Sequence, residues 1–336
     1  MRRIGGRRRL GGGGARAGPR VGGRRRASDS SSPVERWFLL DRGINLGNVL
    51  DARAGTRPEP SPGAAALAGA GFRTVRVPVC WTDHLESDGS IDAGFAARVD
   101  AVVDELLAHE LEVIVDVHHF DAVHADPAGA APVLADLWRG LAQRYADHPP
   151  ALAFELLNEP RAPITPATWN ELAANTLAAV RDVDVGRRVM IGPARANTLD
   201  ALEELRVPDD PGLTLTVHYY APFRFTHQGA WWEPGADAWI GTTWGDDADQ
   251  QAVTADLERA AAWARRHGRP LFIGEFGTHE AADRGSRLRW TRWVRHEAER
   301  LGLGWCYWAL GTEFRLMRRG GSWDADLLDA LLGTSP

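Results

Sequence analysis

Eight short β-rich runs alternate with helix-forming stretches after residue 37, and this alternation limits the fold more than any other feature. The run Val113-Ile114-Val115 is β-branched throughout, as expected for a strand buried on both faces of a parallel sheet. Val99 and Leu106 belong to a stretch whose apolar residues recur on one side of a helix. Regular strand–helix units of this kind predict parallel strands joined by crossover helices.

The predicted elements extend from residue 43 to residue 332. The eight predicted strands span residues 43–46, 74–78, 112–117, 153–157, 188–191, 213–218, 271–274 and 304–308. The main predicted helices span residues 95–109, 132–146, 166–181, 248–267, 281–301 and 324–332. Eight such units in 336 residues favour a closed barrel, and no Gly-x-Gly-x-x-Gly motif opens the first helix. We therefore predict an α/β fold that consists of a single (β/α)8 TIM barrel over residues 34–336.

Residues 1–33 differ from the rest of the chain in composition, because Arg, Gly and Ser dominate them. Such a stretch lacks the apolar residues that a core requires, so we expect it to be a disordered leader. No apolar stretch follows its arginines, so no secretory signal peptide is visible. The sequence alone therefore indicates a cytoplasmic protein, and it leaves open a secreted one whose start has been misassigned.

Charge and hydropathy argue against two classes of partner. The leader holds ten arginines and one acid, so the net charge of −6 implies a strongly acidic remainder. An acidic surface argues against nucleic acid, because phosphate binding requires basic residues. No apolar run approaches the roughly 20 residues of a membrane helix, so no membrane partner is expected. Cys80 and Cys306 lie in no metal-ligand spacing and are expected to be buried, and a bridge between them stays open.

Polar residues occur at the ends of seven predicted strands, which is where the active sites of such barrels lie. These strand-end residues are Asn45, Asn48, Asp51, Arg76, Asp116, His118, His119, Asn158, Glu159, His218, Tyr220, Glu275 and Trp308. Scattered surface charges would not recur in this way. We therefore predict that these side chains meet at one mouth of the barrel.

Glu159 and Glu275 end the fourth and seventh predicted strands, so their carboxyl groups are expected to face each other across the mouth. A retaining glycosidase uses two carboxyl groups about 5–5.5 Å apart, one to protonate the leaving oxygen and one to attack the anomeric carbon. Either glutamate alone is equally consistent with capping a helix or pairing with an arginine. Together, in these positions, they predict an acid/base and a nucleophile.

Several neighbouring residues suit this chemistry. Arg76 and Tyr220 are expected to hydrogen-bond Glu275, and the arginine would keep it ionised. Asn158 is placed to bind a sugar 2-hydroxyl, a contact that strengthens in the transition state. Trp308 offers a flat apolar face for a pyranose ring.

At these residues the sequence resembles glycoside hydrolase family 5, the large cellulase family of clan A, over residues 42–332. The resemblance rests on Asn158-Glu159-Pro160 and on the Gly-Glu-Phe-Gly motif at residues 274–277. It implies that Glu159 is the acid/base and Glu275 the nucleophile of a glycoside hydrolase catalytic domain. The family's other active-site positions are matched by Arg76, His118, His218, Tyr220 and Trp308.

Two further motifs resemble a bacterial subgroup that includes enzymes acting on both β-1,4-glucans and β-mannans. They are Gly-Ile-Asn-Leu-Gly-Asn at residues 43–48 and Pro-Phe-Arg-Phe-Thr-His-Gln-Gly-Ala at residues 222–230. The likeness implies sugar contacts from Asn48, His119, His227 and Trp232. The chain departs from the subgroup at Asp51, where glutamate is usual, and in an unusually basic loop, residues 311–321.

The sequence therefore predicts a retaining endo-β-1,4-glucanase that uses no metal or cofactor and binds a β-glucan or β-mannan. An endo-β-1,4-mannanase or a dual glucanase/mannanase stays open, because glucose and mannose differ only in the orientation of the 2-hydroxyl. Remoter alternatives are a non-catalytic glycan-binding barrel and a metal-dependent barrel hydrolase. The ligands of the latter would be His118, His119, His218 and Glu275. For the oligomeric state we expect a monomer.

Overall fold

The computed structural model describes residues 40–52 and 61–333, so the predicted leader, residues 1–33, lies outside the described part. The strands are β1 (Gly43–Asn45), β2 (Thr74–Val77), β3 (Glu112–Asp116), β4 (Leu152–Glu155), β5 (Arg188–Ile191), β6 (Leu213–Tyr219), β7 (Leu271–Phe276) and β8 (Gly304–Tyr307). The α-helices are α1 (Ala64–Ala70), α2 (Ala93–Ala108), α3 (Asp121–Ala125), α4 (Pro127–Arg144), α5 (Pro166–Arg181), α6 (Phe223–Thr226), α7 (Asp247–Arg266), α8 (Arg284–Arg300) and α9 (Ala325–Leu332). Short 3-10 helices lie at Trp81–His84, Leu199–Glu204 and Ala236–Trp239.

The eight strands form a closed parallel barrel in which neighbours follow chain order and β8 pairs with β1. Closure leaves no strand edge unpaired, and the connecting helices cover the outside of the sheet. The predicted single (β/α)8 barrel is confirmed. Because all strands run in the same direction, the loops that follow them gather at one mouth.

The barrel interior is packed with side chains and is not a pore. Ile114, Ala153, Met190, Phe272 and Cys306 come from five different strands and form one buried cluster inside the barrel. The alternate residues of the strands belong to a second, larger cluster between the strands and the helices. This two-sided burial explains why the strands are almost continuously apolar.

Helix α4 begins earlier than the sequence predicted. Its first residue is Pro127, and the Asp126 side chain caps it by accepting a hydrogen bond from the Gly129 amide. Proline suits the first position of a helix, because its missing N–H would have no partner there. The predicted start at Pro132 was therefore wrong, since this second proline lies inside the helix.

Two further sequence questions are answered by the fold. Cys80 and Cys306 are buried thiols and form no disulfide. Burial raises the pKa of Cys306 far above its usual value, so this thiol stays protonated. None of the helices within residues 40–52 and 61–333 combines the length and the apolar character that a bilayer crossing requires.

Candidate active site

Strand β7 carries a β-bulge next to Glu275. In the ladder between β6 and β7, Val217 pairs with Ile273 and His218 pairs with Glu275. Gly274 is therefore an extra residue without a counterpart on β6. The strand continues to Phe276, so the predicted end at residue 274 was too early.

The bulge turns Glu275 toward the barrel axis. Side chains alternate between the two faces of a strand, and Phe272 belongs to the interior cluster. An unbroken strand would point Phe276 inward as well, but Phe276 instead packs against α8 on the outside. A Cβ atom on Gly274 would lie 2.7 Å from Thr216 Oγ1, so glycine permits the close approach of β6 at the bulge.

Arg76 on β2 is fully buried and is the centre of the site's hydrogen bonds. It makes two hydrogen bonds to Glu155, from Nε at 2.7 Å and from Nη2 at 3.0 Å. It also donates to Glu275 Oε1 at 2.8 Å and contacts Asp116 Oδ2 at 2.7 Å. Burial opposes the charge, but the carboxylates of Glu155, Asp116 and Glu275 raise the pKa of Arg76 well above its usual value. This guanidinium therefore remains a cation among three buried carboxyl groups.

Two asparagine side chains complete the hydrogen bonding of this guanidinium. Nη1 donates to Asn45 Oδ1 at 3.0 Å, and Nη2 donates to Asn158 Oδ1 at 2.9 Å. Asn45 is held in turn because its Nδ2 donates to the carbonyl oxygens of Gly274 at 2.9 Å and Tyr307 at 3.2 Å. Since the oxygen of Asn158 is occupied, the Nδ2 group is the one that this side chain offers to a ligand.

Glu275 is 4 % exposed and accepts a hydrogen bond on each carboxylate oxygen. Arg76 donates to Oε1, and the Tyr220 hydroxyl donates to Oε2 at 2.8 Å. Burial raises the pKa of Glu275, while His218 and Arg76 act in the opposite direction. Burial and the neighbouring carboxylate raise the pKa of Tyr220, so the phenol stays protonated as a donor. Donors to both oxygens favour the ionised form of this carboxylate.

Glu159 follows β4 and has a more open environment, with a side chain that is 25 % exposed. Its Oε1 lies 2.9 Å from His218 Nδ1, and its Oε2 lies 3.5 Å from the Arg161 guanidinium. His218 Nε2 lies 3.5 Å from Asn197 Nδ2, and a ring proton on Nδ1 lets His218 donate to Glu159. Burial lowers the pKa of His218, and burial raises the pKa of Glu159 against the opposing charge of Arg161.

The two glutamates lie close together at the barrel mouth. One carboxylate oxygen of Glu159, one of Glu275 and a ring nitrogen of His218 lie within 4.8 Å of one another. This spacing fits the roughly 5–5.5 Å of retaining glycosidases and is shorter than the roughly 6.5–9.5 Å of inverting ones. His218 Nδ1 also lies 3.5 Å from Glu275 Oε2, so the imidazole contacts both carboxyl groups.

A second cluster lies after β1, β3 and β8. His118 Nδ1 lies 2.8 Å from Asp116 Oδ2, and His118 Nε2 lies 3.8 Å from Asp51 Oδ2. The Trp308 indole stacks on His118 with ring centroids 5.4 Å apart, and His119 packs edge-on against the same imidazole. Burial, and then the charge of Asp116, raise the pKa of Asp51 to about 8. Asp51 is therefore protonated at neutral pH and has a proton to donate.

A third group of site residues lies on the loop after β6. His227 Nδ1 lies 2.9 Å from Thr226 Oγ1, and the ring stacks on Phe223 with centroids 3.9 Å apart. Burial, with a smaller effect of His279, lowers the pKa of His227 to about 3, so the imidazole is neutral. Trp232 packs edge-on against His227 with centroids 6.5 Å apart.

The group around Glu159 and His218 and the group on the loop after β6 meet in one cleft of about 660 Å³. The site residues that line it are Glu159, His218, Tyr220, His227 and Trp232. Asn48 lies elsewhere, in the turn after β1, half-buried and with a left-handed backbone at φ 61°. The site therefore consists of three groups on different strand ends.

The basic loop at residues 311–321 is less positively charged than its sequence suggests. Arg315 Nε lies 3.1 Å from Glu280 Oε2, and Arg319 Nη2 lies 3.5 Å from Glu280 Oε1. Glu280 belongs to the loop after β7, so the two ion pairs join neighbouring loops. Glu280 therefore neutralises part of the positive charge that the sequence predicted for this loop.

Sequence reasoning missed two residues that support the site. Glu155 lies inside β4 and binds the buried guanidinium through both oxygens. A charge within an otherwise apolar strand run was the available signal, since buried carboxylates require a partner. Asn197 is fully buried beside His218, and Arg195, Ala196 and Asn197 all have a positive φ. No residue pattern announces three such conformations in a row.

The side chains that a metal-dependent hydrolase would need are divided between two groups of the described residues. One group holds Asp51, His118 and His119, and the other holds Glu159, His218 and Glu275. Within each group the polar atoms lie within 4.8 Å of one another, but the four proposed ligands do not share one group. The division argues against a single metal centre built from them.

Comparisons with known proteins identify a family and several relatives of this chain. A sequence profile described as Cellulase (glycosyl hydrolase family 5) matches residues 58–313. Endoglucanase H of Acetivibrio thermocellus is 30 % identical over 90 % of this chain, and Endoglucanase A of Clostridium longisporum is 28 % identical over 86 %. The chain spans only 34 % of the first relative and 63 % of the second.

Solved structures show the same fold. Cel5A of Thermotoga maritima is 36 % identical in sequence and superposes with a TM-score of 0.86. The alignment covers 90 % of this chain and all of the other. That protein has been solved in complex with mannotriose and in complex with cellobiose.

Proposed function

The chain belongs to the cellulase family, glycosyl hydrolase family 5, and from this premise we propose that it is a retaining endo-β-1,4-glucanase. Catalysis is assigned to residues 34–336 without a metal or cofactor, and residues 1–33 are a leader outside the catalytic domain. The substrate is a β-glucan or a cello-oligosaccharide. The observation that carries the proposal is the pair of carboxyl groups, Glu159 and Glu275, with oxygens within 4.8 Å at the barrel mouth.

In the first chemical step, Glu159 gives its proton to the glycosidic oxygen while Glu275 attacks the anomeric carbon. The bond from that carbon to the glycosidic oxygen breaks, the leaving sugar departs with a hydroxyl group, and a covalent glycosyl-enzyme forms. The hydrogen bonds support this division of roles. Glu275 receives donors on both oxygens, which favours its ionised form, whereas Glu159 has one close donor, His218, and burial raises its pKa and so favours the protonated form.

In the second step, the ionised Glu159 takes a proton from water, and the water oxygen attacks the anomeric carbon. The ester bond to Glu275 breaks, and the sugar leaves with its original configuration. Arg76 stabilises the carboxylate that is released, since its guanidinium stays charged throughout. His218 supports both steps because it contacts both carboxyl groups.

The proposed sugar contacts come from the three groups of the site. Asn158 Nδ2 donates to the 2-hydroxyl, and Trp308 supports the face of a pyranose ring. The further proposed contacts are Asn48, Asp51, His118, His119, His227 and Trp232. Protonated Asp51 donates a hydrogen bond to a sugar oxygen, a role that an ionised carboxylate would not fill.

The test is hydrolysis of four polymers: carboxymethyl-cellulose, barley β-glucan, glucomannan and galactomannan. New reducing ends are measured for the wild type and for Glu275→Gln, with Glu203→Gln as a control at an exposed carboxyl group. We expect the wild type and the control to release reducing ends from the glucans. Glu275→Gln is expected to lose about 10⁴-fold or more in kcat, because it removes the nucleophile. A near-normal rate for this variant would rule out the assignment.

A dual glucanase/mannanase is the second candidate. It is favoured by the solved complexes of the similar Cel5A from Thermotoga maritima with both mannotriose and cellobiose. Release from glucans and from galactomannan would establish dual activity. Release from galactomannan without the glucans would make the protein a mannanase with the same mechanism, and binding without any release would favour a non-catalytic glycan-binding barrel.

A further inference from the structure

The loop after β6 exposes an unusual amount of apolar surface close to the active-site cleft. Among the described residues, six large hydrophobic side chains are exposed, and four of them lie between residues 223 and 240. These four are Phe223, Trp231, Trp232 and Ile240. Single exposed apolar residues are common, but a cluster of them beside a cleft indicates a surface that binds a ligand or a partner.

Trp231 is the most exposed aromatic residue of this cluster, at 79 %. It stands edge-on to Trp232 with ring centroids 5.6 Å apart. Trp232 lines the cleft that contains Glu159, whereas Trp231 is outside that lining. The second tryptophan therefore extends the aromatic surface from the cleft outward.

The polar group of Trp231 is already occupied. Its Nε1 donates to Glu313 Oε1 at 3.3 Å, across to the loop after β8. The hydrogen bond fixes the direction of the indole and leaves its apolar face as the part available to a ligand. Tryptophan combines such a face with a satisfied N–H at binding surfaces of mixed polarity.

The buried side chain of Gln228 anchors the loop that carries Trp231. Gln228 is fully buried, and its Nε2 donates to the carbonyl oxygens of Phe225 and Thr242, both at 2.9 Å. Its Oε1 accepts from the Gly241 amide at 2.9 Å. One side chain thus joins both ends of the loop, so the indole is presented by a fixed backbone and little ordering entropy is lost on binding.

We propose that Trp231 is the platform of an additional subsite, which stacks one sugar ring of a β-linked glycan beyond the ring held at Trp232. The inference rests on the proposed function, because it takes a glycan as the occupant of the neighbouring cleft. A pyranose ring presents C–H groups on its face and hydroxyl groups on its rim, which suits a flat apolar surface bordered by polar side chains. The subsite is filled only by chains long enough to reach past the cleft.

The experiment measures binding of cello-oligosaccharides with three to six glucose units by calorimetry. The proteins carry Glu275→Gln so that nothing is cleaved, with or without Trp231→Ala. We expect Trp231→Ala to weaken binding of the longest oligosaccharide about tenfold, the loss of one buried aromatic face, and to leave the shortest within about twofold. Trp231→Phe retains a ring and is expected to restore most of the affinity. Val185→Ala truncates an equally exposed apolar side chain before β5 and should leave the affinity for every oligosaccharide unchanged.

Equal affinities with and without Trp231 at every chain length overturn the subsite, as does absence of any binding. The proposed function is tested by a separate measurement, the release of reducing ends by the protein that retains Glu275. A wild-type protein that binds the longest oligosaccharide and releases no reducing ends contradicts hydrolysis, while the dependence of affinity on Trp231 still decides the subsite.

Discussion

Glu275 and Glu159 are the same residue type at the same mouth, but the protein surrounds them differently. Glu275 is fixed by Arg76 and Tyr220, one donor on each oxygen, in a region closed to solvent. Glu159 has one close partner, His218, and one looser one, Arg161, at the rim of the cleft. The difference matches the proposed roles, in which the β7 side stabilises a negative charge and the β4 side releases and regains a proton.

The largest expected effect comes from Arg76→Met, which removes the cation on the β7 side. Three buried carboxyl groups lose their common partner, so we expect a loss of about 3–5 kcal/mol in the free energy of unfolding. We also expect kcat to fall by about 100-fold or more, since Glu275 becomes harder to ionise. Chemical denaturation and steady-state kinetics measure the two effects.

Arg188→Met is the matched control for Arg76→Met. Arg188 is a second buried barrel arginine, and it pairs with Glu112 at the opposite end of the barrel. The control is expected to lose stability and to keep kcat within a few-fold. If both variants lost activity equally, the effect of Arg76 would be general destabilisation and the comparison would fail.

A smaller effect is expected from Tyr220→Phe, which removes the second donor to Glu275. A hydrogen bond to a charged group contributes about 1.5–3 kcal/mol, so we expect kcat to fall about 10- to 100-fold and the free energy of unfolding to fall by no more than this amount. Tyr219→Phe provides the control, because the Tyr219 hydroxyl binds Asp256 on the outer side of the strand. An unchanged kcat in Tyr220→Phe would show that one donor suffices.

The smallest effect is expected from Arg161→Gln on the β4 side. Arg161 favours the ionised form of Glu159, so its removal raises the pKa of Glu159. The alkaline limb of kcat/KM follows loss of the catalytic proton in the free enzyme. This limb should therefore move to higher pH, while kcat at the optimum stays within about twofold.

The control variants for Arg161 separate its charge from its volume. Arg161→Lys keeps the charge and should keep the wild-type profile. Arg259→Gln removes another guanidinium of the cleft, one paired with Asp200 and Asp256, and should not shift the limb. A shift in Arg259→Gln as large as that in Arg161→Gln would mean that the cleft responds only to its total charge.

Most of the fold could be predicted from the sequence because the barrel repeats one simple pattern. Each buried strand is a short β-branched or apolar run, and each long helix has a one-sided stripe, so all eight strands were found within a few residues. The start of α4 was missed because two prolines lie near it, and the capping Asp126 rather than Pro132 marks the beginning. The short helix α1 is composed of Ala, Leu and Gly and offers no such stripe.

The site was predictable where a residue type alone carries the chemistry and unpredictable where backbone geometry does. Arg76 was expected to bind Glu275, and the structure contains that hydrogen bond. The partnership of Arg76 with Glu155 depends on which residues meet inside a closed barrel, and sequence periodicity does not give it. The position of Asn197 beside His218 depends on a loop of left-handed residues, which is decided by packing.

The extra residue at Gly274 has a consequence for anyone who would transplant this chemistry into another barrel. A designer who kept this sequence but built β7 as a regular strand would pair His218 with Gly274 and would point Phe276, not Glu275, toward the barrel axis. The β-bulge is therefore needed to place Glu275 at the barrel mouth, in addition to the presence of a glutamate at this position. Gly274→Ala would test the role of the bulge, because the added methyl group has to fit against both Thr216 and His218.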